Sequence, residues 1–340
     1  MVNNSTISVV MITYGHERFI KEAINSVLSQ NYEGIIELII SNDCSPDNTE
    51  EIIFSILNNH DKNSNININY LRPSKNLGIK GNFLWALSHV KTPYVAFCEG
   101  DDYWTDTEKL KKQIEVFEQN SYLDLCATNT GFYFQNANSW NRKVIGSKNF
   151  PIHLDFKQFI WDRGYMAPCS WMIKTQSLNE ILKEFIPALD ISYYIYANFL
   201  VKSSVHFINE ETCVYRILEE SASRSKNIFN LITREMDLYE TECYLFDKNR
   251  SIGIDLYDFS ELKRRHIYVL CELILQIKDN LEFDRVIHQI KSNKPDILIE
   301  VHRELKRRTK LKFKIREILK KIKRRLKSFI IKEKPIETDL

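Results

Sequence analysis

Tyr94-Val95-Ala96-Phe97-Cys98 runs without a break into Glu99-Gly100-Asp101-Asp102-Tyr103-Trp104. The first five residues read as a short buried strand. Three carboxylates crowd its end, and carboxylates this close repel one another unless a cation neutralises them. A hard ion such as Mg2+ or Mn2+ takes few protein carboxylates and completes its shell with phosphate oxygens and water. The stretch therefore points to a metal–diphosphate site. The plainer alternative is a solvated acidic turn that caps the next helix.

Upstream, Ile7–Tyr14 reads Ile-Ser-Val-Val-Met-Ile-Thr-Tyr, another buried strand. Phe19, Ile20, Ala23, Ile24, Val27 and Leu28 then recur at helical spacing. Ile35–Ile40 is a second apolar run, followed by Asn42-Asp43-Cys44-Ser45-Pro46-Asp47-Asn48-Thr49, dense in turn and cap formers. A helix with Ile52, Ile53, Ile56 and Leu57 on one face comes next, then the alternating Ile66, Ile68 and Tyr70. The turn Asn76-Leu77-Gly78 opens a helix carrying Phe83, Leu84, Leu87 and Val90. This alternation predicts an α/β fold with a mostly parallel sheet flanked by helices. Ligands of such sheets gather at the carboxyl ends of the strands. The polar clusters at 13–17, 42–49 and 99–102 all fall there. Asp43 at such an end can accept a hydrogen bond from a nucleobase edge, or it can cap a helix as Ser45 and Asp47 also can.

Downstream, Leu123–Phe134 reads as a strand and 136–150 as a polar loop. Cys169–Ile173 reads as a short strand, with a helix behind it to about Phe185. A helix is expected after Asp190, and strands near Val205–Ile208 and Cys213–Ile217. Beyond residue 225 only helical periods remain, as in Ile267, Leu270, Leu273, Ile274 and Ile277. The expected division is a sheet domain over 1–220 and a helical C-terminal region over 221–340 ending in a basic amphipathic helix.

The 340 residues, 44% apolar and 27% charged, suit a globular chain and exclude wholesale disorder. No apolar run reaches the ~18–20 residues that span a bilayer. The opening Met1-Val2-Asn3-Asn4-Ser5 lacks a signal-peptide pattern, so a cytoplasmic location is expected. Seven cysteines without a CxxC pair fit reduced, buried thiols. No dinucleotide fingerprint, phosphate-loop, nucleophile-elbow or HExxH motif occurs.

The net charge of +2 conceals an asymmetry. Between Arg303 and Lys334 sixteen Lys/Arg face three Glu, a net +13, which leaves −11 for the remainder. Ile315, Ile318, Leu319, Ile322, Leu326, Phe329 and Ile330 form an apolar stripe among these cations. Residues 303–334 are therefore expected to meet an anionic membrane surface from the inner face of the cell membrane. The alternative is that the stripe packs on the body or on a second subunit. Phe313 and Phe329 are the tail's aromatics, so stacking platforms are sparse and no nucleic acid is expected.

Taken in order and spacing, the segments at 7–17, 42–49 and 99–104 resemble the family 2 glycosyltransferases of GT-A fold. Ala188-Leu189-Asp190 and Val214-Tyr215-Arg216-Ile217 resemble segments of its bacterial surface-polysaccharide members. The resemblance reaches about residue 223. It implies inverting transfer of a sugar from a nucleotide-diphosphate sugar, UDP-linked by default, to a hydroxyl of a glycan or lipid-linked glycan. Thr13, Tyr14 and Glu17 would border the nucleotide base and Asp43 would bind it. Asp101 and Glu99 would ligate Mg2+ or Mn2+, Asp102 would bind the sugar or support the site, and Asp190 would be the catalytic base. Asn82, near the place of an Arg common in the family, would bind the nucleotide sugar, and Leu218 takes the place of a His, leaving Arg216 or Lys80 for the pyrophosphate. Trp161, Tyr165, Met166 and Trp171 offer an apolar platform for an acceptor sugar, with core packing the alternative for Trp171. Two other readings stand beside this one. A sugar-phosphate nucleotidyltransferase would carry a Gly-rich basic loop where this chain has Thr13-Tyr14-Gly15-His16-Glu17-Arg18. A non-catalytic module would bind nucleic acid or membrane through the tail.

Overall fold

Apolar runs long enough for a strand but too short for a helix build the first half. The computed structural model describes residues 5–141, 155–162, 166–186, 190–218, 227–249, 256–293, 295–307 and 322. β1 (Ile7–Thr13), α1 (Ile20–Leu28), β2 (Ile36–Asn42), α2 (Thr49–Asn59), β3 (Ile66–Leu71), α3 (Gly78–Leu87) and β4 (Tyr94–Phe97) alternate as the pattern requires. Their strands lie side by side as β3-β2-β1-β4, all parallel, with Thr13 opposite Asn42 and Val10 opposite Phe97.

The second half comprises β5 (Tyr103–Trp104), α4 (Lys109–Gln119), β6 (Leu125–Phe134), β7 (Ser139–Asn141), α5 (Phe156–Asp162), β8 (Trp171–Lys174), α6 (Thr175–Leu182), α7 (Ile191–Val201) and β9 (Val205–Ile217). It extends the sheet as β8-β6-β9-β5, with β7 paired to β6. The sheet is mixed rather than purely parallel, with β1 to β4, β6 and β9 running in one direction, as the α/β reading expects. β8 runs antiparallel to both β4 and β6, because it enters from the edge at which they end. β5 and β7 are also antiparallel to their partners.

Other differences from the sequence reading have local causes. The two strands expected at 205–208 and 213–217 are one strand. The exposed pair Asn209-Glu210 interrupts its apolar pattern where the register with β6 shifts around Asn129. β7 begins inside the expected loop, whose residues 142–150 lie outside the described residues.

Strand alternation assigns the two faces. Val9, Met11, Leu38, Ile40 and Ala96 join Ile20, Ile24, Val27, Leu110, Ile114 and Phe117 of α1 and α4 in one core. On the other face Phe97 stacks on Phe83 of α3 at 5.4 Å, and Trp171 stacks on Tyr196 of α7 at 5.8 Å. Burying each such side chain contributes roughly 1.5–3 kcal/mol.

The chain divides into two compact units, Met1–Leu218 and Glu219–Leu340. The second holds α8 (Ile228–Lys248), α9 (Leu256–Gln276), α10 (Asn280–Asn293) and α11 (Pro295–Arg307). Asn227 caps α8 by accepting from Phe229 and Asn230 N–H. Ile232, Met236, Leu270, Ile274, Val286, Ile290, Leu298, Val301 and Leu305 form the core of this unit, and Ile322 joins them, fully buried. His266 is buried between Glu235 and Glu242, at 2.8 and 2.7 Å. The rest of the expected basic helix, 308–321 and 323–340, lies outside the described residues. All seven cysteines are free thiols, Cys98, Cys126, Cys169, Cys213 and Cys271 buried among them.

Candidate active site

Three strand ends meet at the carboxyl edge of the parallel half. The ladder continues past the strands: Asp43 N–H donates to the Thr13 carbonyl at 2.9 Å, and Gly100 N–H donates to that of Ile12 at 2.9 Å. Thr13, Asp43 and the Glu99–Asp102 turn are thereby brought together. Gly100 is required by this approach. A Cβ there would lie 2.6 Å from Thr13 Oγ1 and 2.9 Å from His16 Nδ1.

The signature over 42–49 proves to be a stitch between two loops. Successive amides of the β1–α1 loop are taken by side chains of the β2–α2 loop. Gly15 N–H donates to Ser45 Oγ at 3.0 Å, His16 N–H to Thr49 Oγ1 at 2.9 Å and Glu17 N–H to Asp47 Oδ2 at 3.0 Å. Glu17 Oε2 reciprocates by accepting from Asn48 N–H and Nδ2–H, both at 3.0 Å. Burial pushes the Asp47 carboxyl up, but the Thr49 hydroxyl and the amides of Glu17 and Thr49 outweigh it and hold Asp47 below the usual carboxylate range. Asn42 accepts from Ser45 and donates to the Tyr70 hydroxyl at 3.0 Å. Gly15 sits at φ +70 and Cys44 at φ +60, the left-handed turns that let both loops fold back. Asp43, buried, accepts from Leu77 N–H at the start of α3 at 2.7 Å. Tyr14, next to Thr13 in sequence, is half exposed.

The acidic turn carries unusual electrostatics. Thr13 Oγ1, His16 Nδ1, Glu99 Oε2 and Asp102 Oδ2 are buried without hydrogen-bond partners. Burial, then the charge of Asp101, pushes the Glu99 carboxyl up to about 7. Burial, then the charges of Asp101 and Glu99, raises Asp102 well above the carboxylate range. Asp101 is partly exposed, with His16 Nε2 4.0 Å from its Oδ2. Crowded, desolvated carboxylates with unpartnered oxygens fit a hard cation. Among the described residues no three His, Cys, Asp or Glu form a complete cage, so a cation here would need oxygens from a ligand.

Other expected site residues fall elsewhere. Asn82 is buried, donating to the Ser41 carbonyl at 3.1 Å and accepting from the Ser41 hydroxyl, so it links α3 to β2. Arg216 does not point outward. Its Nε–H donates to the Asp101 carbonyl at 2.7 Å, Nη1 to Gln135 at 2.9 Å and Nη2 to Glu22 at 2.7 Å, with Phe19 and Tyr103 against its plane. Lys80 is on the first turn of α3. Asp190 caps α7, its Oδ1 accepting from Tyr193 N–H at 2.9 Å. α7 then descends to β9, which pairs with the start of β6, so Asp190 stands on the carboxyl-edge side. Trp171 and Met166 are buried and Trp161 is half-buried, while Tyr165 lies outside the described residues. Neither the place of His16 nor the Arg216 bracket is legible in the sequence, because both depend on loops meeting across the sheet.

A separate cleft of about 520 Å3, lined by Ser8, Glu37, Asn69, His89 and Lys91, opens near the amino ends of β1 and β2, away from these carboxylates.

The sequence model for glycosyl transferase family 2 matches residues 8–182. An uncharacterized Mycobacterium tuberculosis protein is 26% identical over 220 residues, 62% of this chain and 58% of that protein. The chain thus spans little more than half the length of this relative. An Escherichia coli UDP-Glc:alpha-D-GlcNAc-diphosphoundecaprenol beta-1,3-glucosyltransferase is 25% identical over 233 residues, 68% of this chain and 84% of that enzyme. The crystal structure of S. aureus TarS 1–349 in complex with UDP-GlcNAc superposes with a TM-score of 0.55 at 17% identity, covering 95% of this chain and 92% of that one. This likeness shows the fold.

Proposed function

The chain belongs to glycosyl transferase family 2, and from that premise we propose that it moves a sugar from a nucleotide-diphosphate sugar to a hydroxyl of a glycan or lipid-linked glycan, with inversion. The observation that carries the reading is the convergence of Thr13, Asp43 and the Glu99–Asp102 turn at one sheet edge, with four buried polar atoms there lacking partners. UDP-linked donors are the first choice, supported by the UDP-Glc of the E. coli relative's name. Cell-surface polysaccharide synthesis is the corresponding setting.

Thr13, Tyr14 and Glu17 would border the base, and Asp43, already holding Leu77 N–H, would receive its edge. Glu17 would act through the loop it fastens. Asp101 and Glu99 would hold Mg2+ or Mn2+, which when bound offsets charge on the departing diphosphate. Asp102 would support the turn and the sugar. Asp190 would take the proton of the acceptor hydroxyl, help typically worth ~10²–10⁴-fold. Its Oδ1 already caps α7, a contact that fixes the carboxylate's direction. Asn82 would act only by placing α3 and its N-terminal turn.

No described helix is long and apolar enough to cross a membrane. Attachment to an anionic surface through 303–334 would rest on charge, since Ile322 of the apolar stripe is buried in the helical unit. The test of the reaction is a panel of sugar nucleotides with Mg2+ or Mn2+, reading released nucleoside diphosphate. Release from one donor class, dependent on the ion, supports the reading. No release from any donor, with or without a glycoside acceptor, defeats it.

A further inference from the structure

A line of contacts leads from the acidic turn to a half-buried tyrosine and an exposed tryptophan. Arg216 donates to the Asp101 carbonyl, and its guanidinium lies 5.8 Å from the ring centre of Tyr133 on β6. Tyr133 in turn packs on Trp140 of β7, ring centres 4.7 Å apart. The two rings are direct cross-strand partners in the β6–β7 hairpin. Trp140 remains 43% exposed.

The pair is fastened by its hairpin. The Tyr133 hydroxyl donates to Asn138 Oδ1 at 2.5 Å. Asn138 turns the hairpin at φ +44, a conformation that Asn tolerates. Gln135 N–H donates to the Ile217 carbonyl at 3.1 Å, and its side chain accepts from Arg216. The residue that braces Asp101 therefore also braces the hairpin.

The position fits a substrate. β6 and β9 run parallel to each other and, through β8, in the same direction as β4. Their carboxyl ends, with the hairpin, rise at the same edge as the acidic turn. They lie on the side away from β1 to β3, whose loops form the nucleotide half. The rim around Trp140 is polar, with Asn136, Asn138 and Ser139 exposed. A flat aromatic face with amides and hydroxyls around it suits a pyranose ring, which presents C–H groups on one face and hydroxyls at its edge.

We propose that the Tyr133–Trp140 pair is a carbohydrate-binding platform that holds a sugar ring of the glycan acceptor beside the acidic turn. The proposal rests on the transferase reading for the word acceptor, and its binding claim stands separately. The test is saturation-transfer NMR on the full chain with cellobiose and N,N′-diacetylchitobiose as probes. At least one disaccharide should receive saturation on its ring C–H protons. Trp140→Ala should reduce that signal fivefold or more, and Trp140→Phe should keep at least half of it. Tyr122→Ala, an exposed aromatic before the start of β6, should leave it unchanged. Circular dichroism and urea unfolding of each variant check that it is folded. Absence of saturation in the wild-type chain overturns the platform, as does an unchanged signal in a folded Trp140→Ala. Disaccharide binding at Trp140 without turnover of any donor would leave the platform standing and remove the transferase reading.

Discussion

Arg216 donates its backbone N–H to Asp102 Oδ1 at 2.8 Å while its side chain holds the carbonyl of Asp101 at 2.7 Å. One residue of β9 thus fixes both neighbours of the acidic turn. A lysine cannot reproduce this, because the guanidinium supplies a planar fork of donors. Arg216→Lys keeps the charge and the backbone bond but loses the bracket. Turnover should fall about tenfold or more and unfolding free energy by about 1–3 kcal/mol, as expected when buried acceptors lose their donors. Steady-state kinetics beside urea unfolding checks this, and unchanged turnover would assign Arg216 to the fold alone.

Asp101→Ala removes a partly exposed carboxylate of the cluster. Turnover should be abolished, and calorimetry should show weaker binding of nucleoside diphosphate in the presence of Mn2+. Without metal the variant and the wild type should bind alike. Chelation of the wild-type enzyme should reproduce the loss. Equal Mn2+-dependent affinity in the two proteins would move the cation away from Asp101.

The sheet's parallel half was legible because buried parallel strands are near-continuous apolar runs such as Val9–Ile12. The acidic turn was legible because Glu99, Asp101 and Asp102 are adjacent in sequence. β5 was not, since two residues carry no period, and Tyr103-Trp104 is a strand only because β9 lies beside it. In sequence, Ser45 and Asp47 read as helix caps and Thr49 as part of the same turn-forming stretch. Their bonds to the amides of residues 15–17 depend on loops 30 or more residues apart and have no local signal. Arg216 enters as a pyrophosphate candidate only through the family resemblance, in place of a missing Arg and His. Its burial against Phe19 and Tyr103 required the tertiary structure.

Asp190→Asn keeps the cap on α7 and removes the proton acceptor. Turnover should drop ~10²-fold or more while donor affinity changes by only a few-fold. Stability should hold, because Asn caps helices as well as Asp does. Near-normal turnover would reduce Asp190 to its cap.

The stitch between the first two loops should be sensitive to acid. Asp47 is held below the usual carboxylate range when folded, so its contribution is present above its unfolded pKa, about 3.9, and fades as pH falls through the folded value. Asp47→Ala should cost about 1–2 kcal/mol at pH 7, where the bonds to Glu17 and Thr49 are lost. The gap between the two proteins should shrink below about pH 4 as the wild-type carboxylate is protonated. Urea unfolding at pH 7 and at pH 3 gives the comparison. A gap that stays constant would mean that the charge on Asp47 contributes nothing to the stitch.

The sequence of the basic tail interleaves an apolar stripe with cations, and Ile322 separates their expected roles. Ile322 is fully buried with Leu270, Ile274 and Val301 in the helical unit, so at that position the apolar stripe faces protein. Insertion into a bilayer would require withdrawing it, at roughly 1.5–3 kcal/mol for such a side chain. Charge carries no such cost. Each Lys or Arg near an anionic surface contributes about 1 kcal/mol, and sixteen are available between Arg303 and Lys334. Deleting the tail would be a poor test, because it would also remove the buried Leu305 and Ile322. Replacing Lys320, Lys321, Lys323, Arg324 and Arg325 by Gln keeps the stripe and removes five charges. The wild-type chain should float with phosphatidylserine-containing liposomes at low salt, and 0.5 M salt should release it. The neutralised variant should stay at the bottom of the gradient. Flotation that resists salt would indicate insertion instead of surface attraction. A wild-type chain that ignores these liposomes at low salt would assign the tail to a protein surface.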